Sequence, residues 1–230
     1  EYSSSLSLSR RKRILLLTPF RGEVVKPCPG TNLPYLCCRY TVINDMNQCP
    51  YDCTYCVLQS YLENPFLTCY TNIGGIKAQI DACLDQQPHR FFRFGTGELA
   101  DSLALEPVVE RGREWSTFFS GRKNCVIELK TKSDNIAGVL NAPHENTILS
   151  WSLNPGSVIR REEARAASME KRLKAAETAA NKGCMTGFHL DPILRFTDWE
   201  KEYMNLIDTL FARVNPKMIA WISMGAFRFY

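Results

Sequence analysis

The chain is 230 residues long, 45% hydrophobic and carries a net charge of +4, which is the size and mix of one globular domain with a substantial core. Its mild basicity excludes a long polybasic stripe while permitting contact with nucleic acid. Ten cysteines are too many for chance, yet the chain is far longer than the small domains stapled by disulfides. The ILLL run at 14–17, after Arg10, Arg11, Lys12 and Arg13, is too short for a signal h-region or a membrane span, so the sequence reads as a cytoplasmic protein with no membrane partner. The four basic residues themselves read as a solvated leader.

In chain order, residues 1–39 form an N-terminal extension that carries Cys28, Cys37 and Cys38. Short apolar runs then alternate with helical patterns, the mark of an α/β domain with a parallel sheet. Tyr40 to Asn44 predicts a first strand, Ile73 to Gln86 a helix, and Arg90 to Gly95 a second strand. Leu105 to Phe119 predicts a helix, Cys125 to Lys130 a third strand, Asp134 to Leu140 a short helix, and Thr147 to Leu153 a fourth strand. Ser168 is placed to cap a helix over Met169 to Asn181, with Gly183 as its stop. Met185 to Leu190 is a fifth strand, Asp198 caps a helix running to Arg213, and Met218 to Ser223 is a sixth strand. Six such repeats over 40–230 predict a partial (β/α)6 barrel, whose ligands sit at the C-terminal ends of the strands.

The most informative segment is CPYDCTYC, with Cys49, Cys53 and Cys56 separated by three and then two residues. Three thiolates on one tight loop can hold three corners of a 4Fe–4S cluster and leave one iron open. A zinc site wants two ligand pairs or a Cys/His set, and His89, His144 and His189 are not spaced to complete one. The CxxxCxxC pattern, with the aromatic Tyr55 before its last cysteine, resembles the signature of the radical S-adenosylmethionine (SAM) superfamily, in which the open iron chelates SAM. GTGEL, from Gly95 through Thr96, Gly97 and Glu98 to Leu99, resembles that superfamily's Gly-Gly-Glu motif, whose carboxylate takes the amino group of SAM. Glycines there admit a close ligand, and a carboxylate receives an ammonium. Lys130, Thr131 and Lys132 end the third strand, and Ser150, Ser152 and Asn154 the fourth; such groups can hold a carboxylate and ribose hydroxyls.

Taken together, KPCPGT, YLCC, CPYDCTYCVLQSYL, RFGTGELADSLAL, TKSDN, SWSLNP and GFHLDPIL resemble the spore photoproduct lyase family of radical SAM enzymes over about residues 26–227. The resemblance implies a cluster on Cys49, Cys53 and Cys56 and SAM contacts at Lys132, Ser152 and Asn154. It implies reductive cleavage of SAM to a 5′-deoxyadenosyl radical that abstracts hydrogen from a nucleic-acid or nucleotide-like substrate, in the family a cross-linked thymine pair. A flavodoxin or ferredoxin would then supply the electron. Two positions depart from the family: Glu98 stands where the lyases carry a hydrogen-donating cysteine, and Val57 stands where they carry a tyrosine after the last cluster cysteine. The lyases also continue into a DNA-contacting hairpin, whereas this sequence stops at Tyr230. The hydrogen donor is therefore open, with Glu98, Tyr55, Cys37 and Cys38 as candidate catalytic residues.

Cys28, Cys37 and Cys38 read as small core residues, as a thiol that reaches the site, or less well as ligands of a second metal centre. Cys69, Cys83, Cys125 and Cys184 read as structural, and Trp115, Trp151, Trp199 and Trp221 as core. His189 and Asp191, which close the fifth strand, are candidates for contact with the adenosyl group. Two other classes stay open: an iron–sulfur electron-transfer or redox-sensing protein, and a zinc-stabilised nucleic-acid-binding module.

Overall fold

The structure, a computed structural model, describes residues 7–28 and 39–226. A short helix α1 (Leu8–Arg11) leads into strands β1 (Leu15–Thr18), β2 (Val25–Pro27), β3 (Tyr40–Ile43), β4 (Met46–Asn47) and β5 (Asp52–Cys53). Helix α2 (Leu58–Tyr61), β6 (Leu67–Tyr70), α3 (Ile73–Gln86) and β7 (Phe92–Gly95) follow. Next come α4 (Glu106–Val109), α5 (Arg111–Phe119), β8 (Cys125–Thr131), α6 (Ala137–Leu140) and β9 (Thr147–Ser152). The chain continues through α7 (Gly156–Glu162), β10 (Glu163–Ala164), α8 (Met169–Asn181), β11 (Met185–Ile193), α9 (Trp199–Arg213) and β12 (Ile219–Ala226).

The main sheet has the order β12-β11-β9-β8-β7-β3-β2. Its six central and far strands are parallel and follow chain order, and β2 adds an antiparallel edge. This is the predicted α/β partial barrel of parallel strands. Strand alternation sorts its two faces. Phe92, Phe94, Ile127, Leu129, Leu149, Trp151 and Phe188 pack outward into one core with Ile76, Ile80, Trp115, Phe119, Leu173 and Leu206 of the helices. The intervening residues, Arg93, Gly95, Glu128, Lys130, Ser150 and His189, turn to the other, concave side. A barrel packed on one face only thus leaves a polar interior for a ligand.

Helix ends follow local chemistry. Ser168 caps α8, its hydroxyl accepting from the Lys171 amide at 3.3 Å, and Gly183 takes a φ of +81° just past the end. The helix predicted over 105–119 is instead two. Glu110 adopts a φ of +45°, and the Glu106 carboxylate accepts from the amides of Gly112 (2.6 Å) and Arg113 (2.9 Å), so an acidic cap restarts the helix at Arg111. Asp198 precedes α9 in a left-handed conformation and its side chain makes no capping bond, contrary to expectation. The short helix expected from Asp134 begins only at Ala137, because Ser133 and Asp134 are spent in turns over Asn135 and Ile136.

Two small sheets were not foreseen. β1, β6 and β4 form a three-stranded sheet in the order β1-β6-β4, and β5 pairs antiparallel with β10. Strands of two to four residues are too short to show alternation. Nor is the basic run wholly a solvated leader: Lys12 is 2% exposed. Its ammonium donates to the Tyr51 carbonyl at 2.5 Å and pairs with Asp52 at 3.3 Å. Among the described residues no helix is long and apolar enough to cross a membrane.

Candidate active site at the barrel mouth

The cysteine loop hangs between the two small sheets. β4 leads into Cys49, and β5 carries Cys53. The pairing of β5 with β10 is extended by Thr54, whose amide donates to the Glu162 carbonyl at 2.9 Å and whose hydroxyl donates to the Glu162 carboxylate at 2.5 Å. Gln59 of α2 donates to the Cys53 carbonyl at 2.6 Å, and Lys12 and Arg165 both pair with Asp52 at 3.3 Å. A loop of this length is thus held from four directions. Cys53 is buried, Cys49 and Cys56 are partly so, and all three are free thiols.

Burial raises the Cys49 thiol well above its ordinary range, with Asp101, Cys56 and Cys53 adding to the rise. Burial likewise raises Cys53, against the pull of Lys132. Among the described residues no three His, Cys, Asp or Glu side chains converge on a single metal ion. A mononuclear zinc site brings its ligands to about 2.3 Å from one centre, whereas a cubane takes each thiolate at a different iron. Soft thiols on one loop fit an iron–sulfur centre, and a bound cation would deprotonate them outright.

Behind the loop lies a buried polar network that ties the cysteines to the strand ends. Lys132, just past β8, donates to the Tyr55 hydroxyl at 2.6 Å, lies 3.6 Å from the Cys53 sulfur and pairs with Glu163 at 3.4 Å. Tyr55 donates to Glu163 in a short hydrogen bond, and Asn154 donates to Tyr55 (3.2 Å) and Glu163 (3.1 Å). Arg172 of α8 pairs with Glu163 at 2.5 Å and donates to the Ser152 carbonyl at 2.9 Å, while Tyr203 of α9 donates to Asn154 at 2.6 Å. Burial alone would raise Glu163, but Lys132 and Arg172 outweigh it and bring the carboxyl down to about 2. Burial and the ionised Glu163 push the Tyr55 phenol up.

Glu163, Arg172 and Tyr203 were missed from sequence. These side chains sit in ordinary helical or two-residue stretches, and only the fold brings them to the Tyr55 network. Ser152 and Asn154 do lie at the mouth as expected, with Asn154 fully engaged by the network.

The GTGEL turn follows β7. Thr96 is buried and donates to Ser102 at 2.8 Å, so its hydroxyl shapes the turn. The Tyr40 ring lies flat against Gly95, where any Cβ would strike its hydroxyl. A Cβ at Gly97 would lie 2.8 Å from Lys130 Cβ and 3.1 Å from the Lys130 carbonyl, so only glycine lets this turn cross β8. Asp101 then binds turn and strand together, accepting from the Thr131 hydroxyl (2.5 Å) and the amides of Lys132 (2.6 Å), Leu103 (3.0 Å) and Ala104 (2.8 Å). Glu98 is partly exposed, with no hydrogen bond or ion pair among the described residues; its charge reaches Tyr40.

Deeper in the concave face, Glu128 accepts from Arg93 (2.6 Å), His189 (2.6 Å) and Trp221 (3.2 Å), and His189 shares a second bond of 2.6 Å with Ser223. Burial opposes its ionisation, yet His189 and Arg93 bring Glu128 down to about 2. The Arg93 guanidinium stacks on Trp221 at 3.9 Å and on Tyr40 at 5.1 Å. This plug closes the floor of the cavity. It places Trp221 in the interior face rather than the helix-side core, and spends both His189 nitrogens on protein partners. Asp191, beyond it, is exposed.

Cys37 and Cys38 lie outside the described residues, and the Cys28 amide donates to the Tyr40 carbonyl at 3.0 Å. Cys69, Cys125 and Cys184 are buried and Cys83 partly so, in keeping with structural roles.

A partial barrel of six parallel strands with a three-cysteine loop over the C-terminal ends is the architecture of the radical SAM class. The family model for spore photoproduct lyase matches residues 39–228, and the chain belongs to that family. Spore photoproduct lyase of Geobacillus sp. (strain Y412MC61) is 28% identical over 164 residues, 70% of this chain and 48% of that protein. That of Bacillus subtilis (strain 168) is 26% identical over 164 residues, again 70% and 48%. The chain spans about half the length of these curated relatives. A solved spore photoproduct lyase mutant with bound AdoMet and dinucleoside spore photoproduct superposes with a TM-score of 0.88 at 23% identity, over 97% of this chain and 65% of that one. At that identity the likeness speaks for the fold.

Proposed function

We propose that this chain is a radical SAM enzyme of the spore photoproduct lyase type, with a 4Fe–4S cluster on Cys49, Cys53 and Cys56 and SAM beside it. Its substrate is a nucleic acid or a nucleotide-like molecule. The observation that carries this reading is the convergence of the cysteine loop, the GTGEL turn and the ends of β8 and β9 on one mouth of the barrel. Held there, the cluster and SAM would supply the reductive chemistry that yields a 5′-deoxyadenosyl radical able to take hydrogen from the substrate.

The residues of the chain bind, orient and exclude water. The Glu98 carboxylate, which has no hydrogen bond or ion pair among the described residues, suits the ammonium of the methionyl end. Lys132 and Ser152 suit its carboxylate and the ribose hydroxyls, and Asn154 fixes Tyr55 through the bond from Tyr203. Glu163 and Arg172 stiffen that shell from behind. The Tyr40–Arg93–Trp221 plug closes the far end, so a reactive species formed at the mouth is shielded from solvent. Glu98 has no hydrogen to give as a thiol would, so the quenching hydrogen comes from elsewhere: the Tyr55 phenol, Cys28, Cys37 or Cys38. A flavodoxin or ferredoxin in the cytoplasm would supply electrons from the loop side.

The test is anaerobic mass spectrometry on the reconstituted, reduced protein with SAM, with and without a thymine photoproduct dinucleotide. Formation of 5′-deoxyadenosine is expected, and its absence would overturn the reading. Release of thymidine units would establish photoproduct repair despite Glu98. An intact dinucleotide would keep the radical chemistry and point to another nucleotide substrate.

A further inference from the structure

Among the described residues of β7, β8 and the turn just past β8, each concave-face cation has an anionic partner except Lys130. Arg93 pairs with Glu128 at 2.6 Å, and Lys132 and Arg172 share Glu163 at 3.4 and 2.5 Å. Lys130 lies between them on β8, in register with Ser150 and directly beneath Gly97. Its neighbours two residues away on the same pleat face, Glu128 and Lys132, reach His189 and Tyr55, so the Lys130 stem enters the space between floor and mouth. Lys130 is partly exposed, and among the described residues its ammonium has no hydrogen bond or ion pair. An ammonium carries three donors and no acceptor, so a site that leaves all three open awaits an anion.

SAM does not answer this need. Its ammonium would suit Glu98 and its carboxylate Lys132, and its sulfonium is a cation that offers Lys130 no counter-charge. SAM is itself a net cation, so it would bring no charge that compensates Lys130.

We propose that Lys130 anchors an anionic group of the substrate, a phosphate or bridging phosphodiester, and so selects nucleotides over uncharged nucleosides. The inference rests on the radical SAM reading for the identity of the other ligand. Gly97 is part of the device: its missing Cβ lets the turn cross Lys130 without covering it.

The test is equilibrium binding, read by tryptophan fluorescence, of two probes: the thymine photoproduct dinucleotide with its bridging phosphate, and the phosphate-free dinucleoside. Both are titrated with and without SAM into the native protein, Lys130→Met and Lys130→Arg, and SAM affinity is measured on the same samples. The native protein should prefer the dinucleotide about tenfold or more, the gain of a charge-assisted contact. Lys130→Met should bring the ratio near one and Lys130→Arg should keep most of it. A native ratio near one, no binding of either probe, or an unchanged ratio in Lys130→Met overturns the proposal. So does a selective loss of SAM affinity in Lys130→Met, which would assign the ammonium to the cofactor. A native protein that binds no SAM refutes the radical SAM reading instead, while the ratio without SAM still decides on Lys130.

Discussion

Replacing Glu163 by Gln removes one charge and almost no volume from the network behind the cysteine loop. The side chains of Glu163 and Arg172 are both 0% exposed and 2.5 Å apart, while Lys132, at 3.4 Å, is 15% exposed. Lys132 can turn toward water, but Arg172 cannot. Removing one partner of a buried pair costs about 3–5 kcal/mol, because the remaining charge is stranded. Gln still offers an oxygen to Arg172 or Tyr55, so the loss falls at the low end, about 3 kcal/mol, a large share of a typical stability of about 5–15 kcal/mol. Urea unfolding of the metal-free protein at neutral pH reads it directly. The double variant Glu163→Gln/Arg172→Met should recover about 1 kcal/mol or more relative to additivity, since no buried charge is then left alone. A single-variant loss below about 1 kcal/mol, or strict additivity, would refute this account of the network.

Three further outcomes are expected. Lys12→Met leaves the Tyr51 carbonyl without its donor and Asp52 with Arg165 alone, costing about 2 kcal/mol and speeding chelation of iron from the loaded loop; unchanged release would show that the N-terminal segment does not hold it. Asp45 is pushed up from 3.8 to about 6 by burial, against the bond from Trp115. A raised carboxyl penalises the fold where it is ionised, so Asp45→Asn should gain nothing near pH 4 and up to about 3 kcal/mol above pH 7; equal melting shifts at both pH values would contradict it. Gly97→Ala meets Lys130 Cβ at 2.8 Å and should cost about 1–3 kcal/mol and weaken SAM binding, which calorimetry checks.

Much of the fold is legible in the sequence, for a physical reason. Met169–Asn181 carries its own cap at Ser168, both it and Ile73–Gln86 carry apolar stripes, and both appear with the predicted bounds. Five of the six parallel strands are largely buried runs between such helices, and only the edge strand β12 alternates between half-buried and exposed residues. The broken helix at Glu110 is a different case. Its restart depends on the Glu106 carboxylate finding two amides, which periodicity does not encode. The two small sheets and the burial of Lys12 depend on contacts between segments more than twenty residues apart.

The site divides the same way. Cys49, Cys53 and Cys56 declare themselves by spacing, and Gly95, Gly97, Lys132 and Ser152 by their places at strand ends. Glu163, Arg172 and Tyr203 have no local signature; they matter because α7 and β10 return the chain to the cysteine loop. The Arg93–Glu128–His189 plug is hidden because a charged residue in a buried strand reads as an exposed face until its partner is seen.

The central claim is that the CPYDCTYC loop carries a cluster with one iron open to SAM. Electron paramagnetic resonance of the reconstituted, reduced protein, recorded before and after SAM is added, tests it most directly, with iron and sulfide measured on the same sample. The account predicts about four iron and four sulfide per chain and a signal whose g-values move when SAM binds, both lost in Cys53→Ala. Zinc without sulfide, or a cluster signal that ignores SAM, would contradict it.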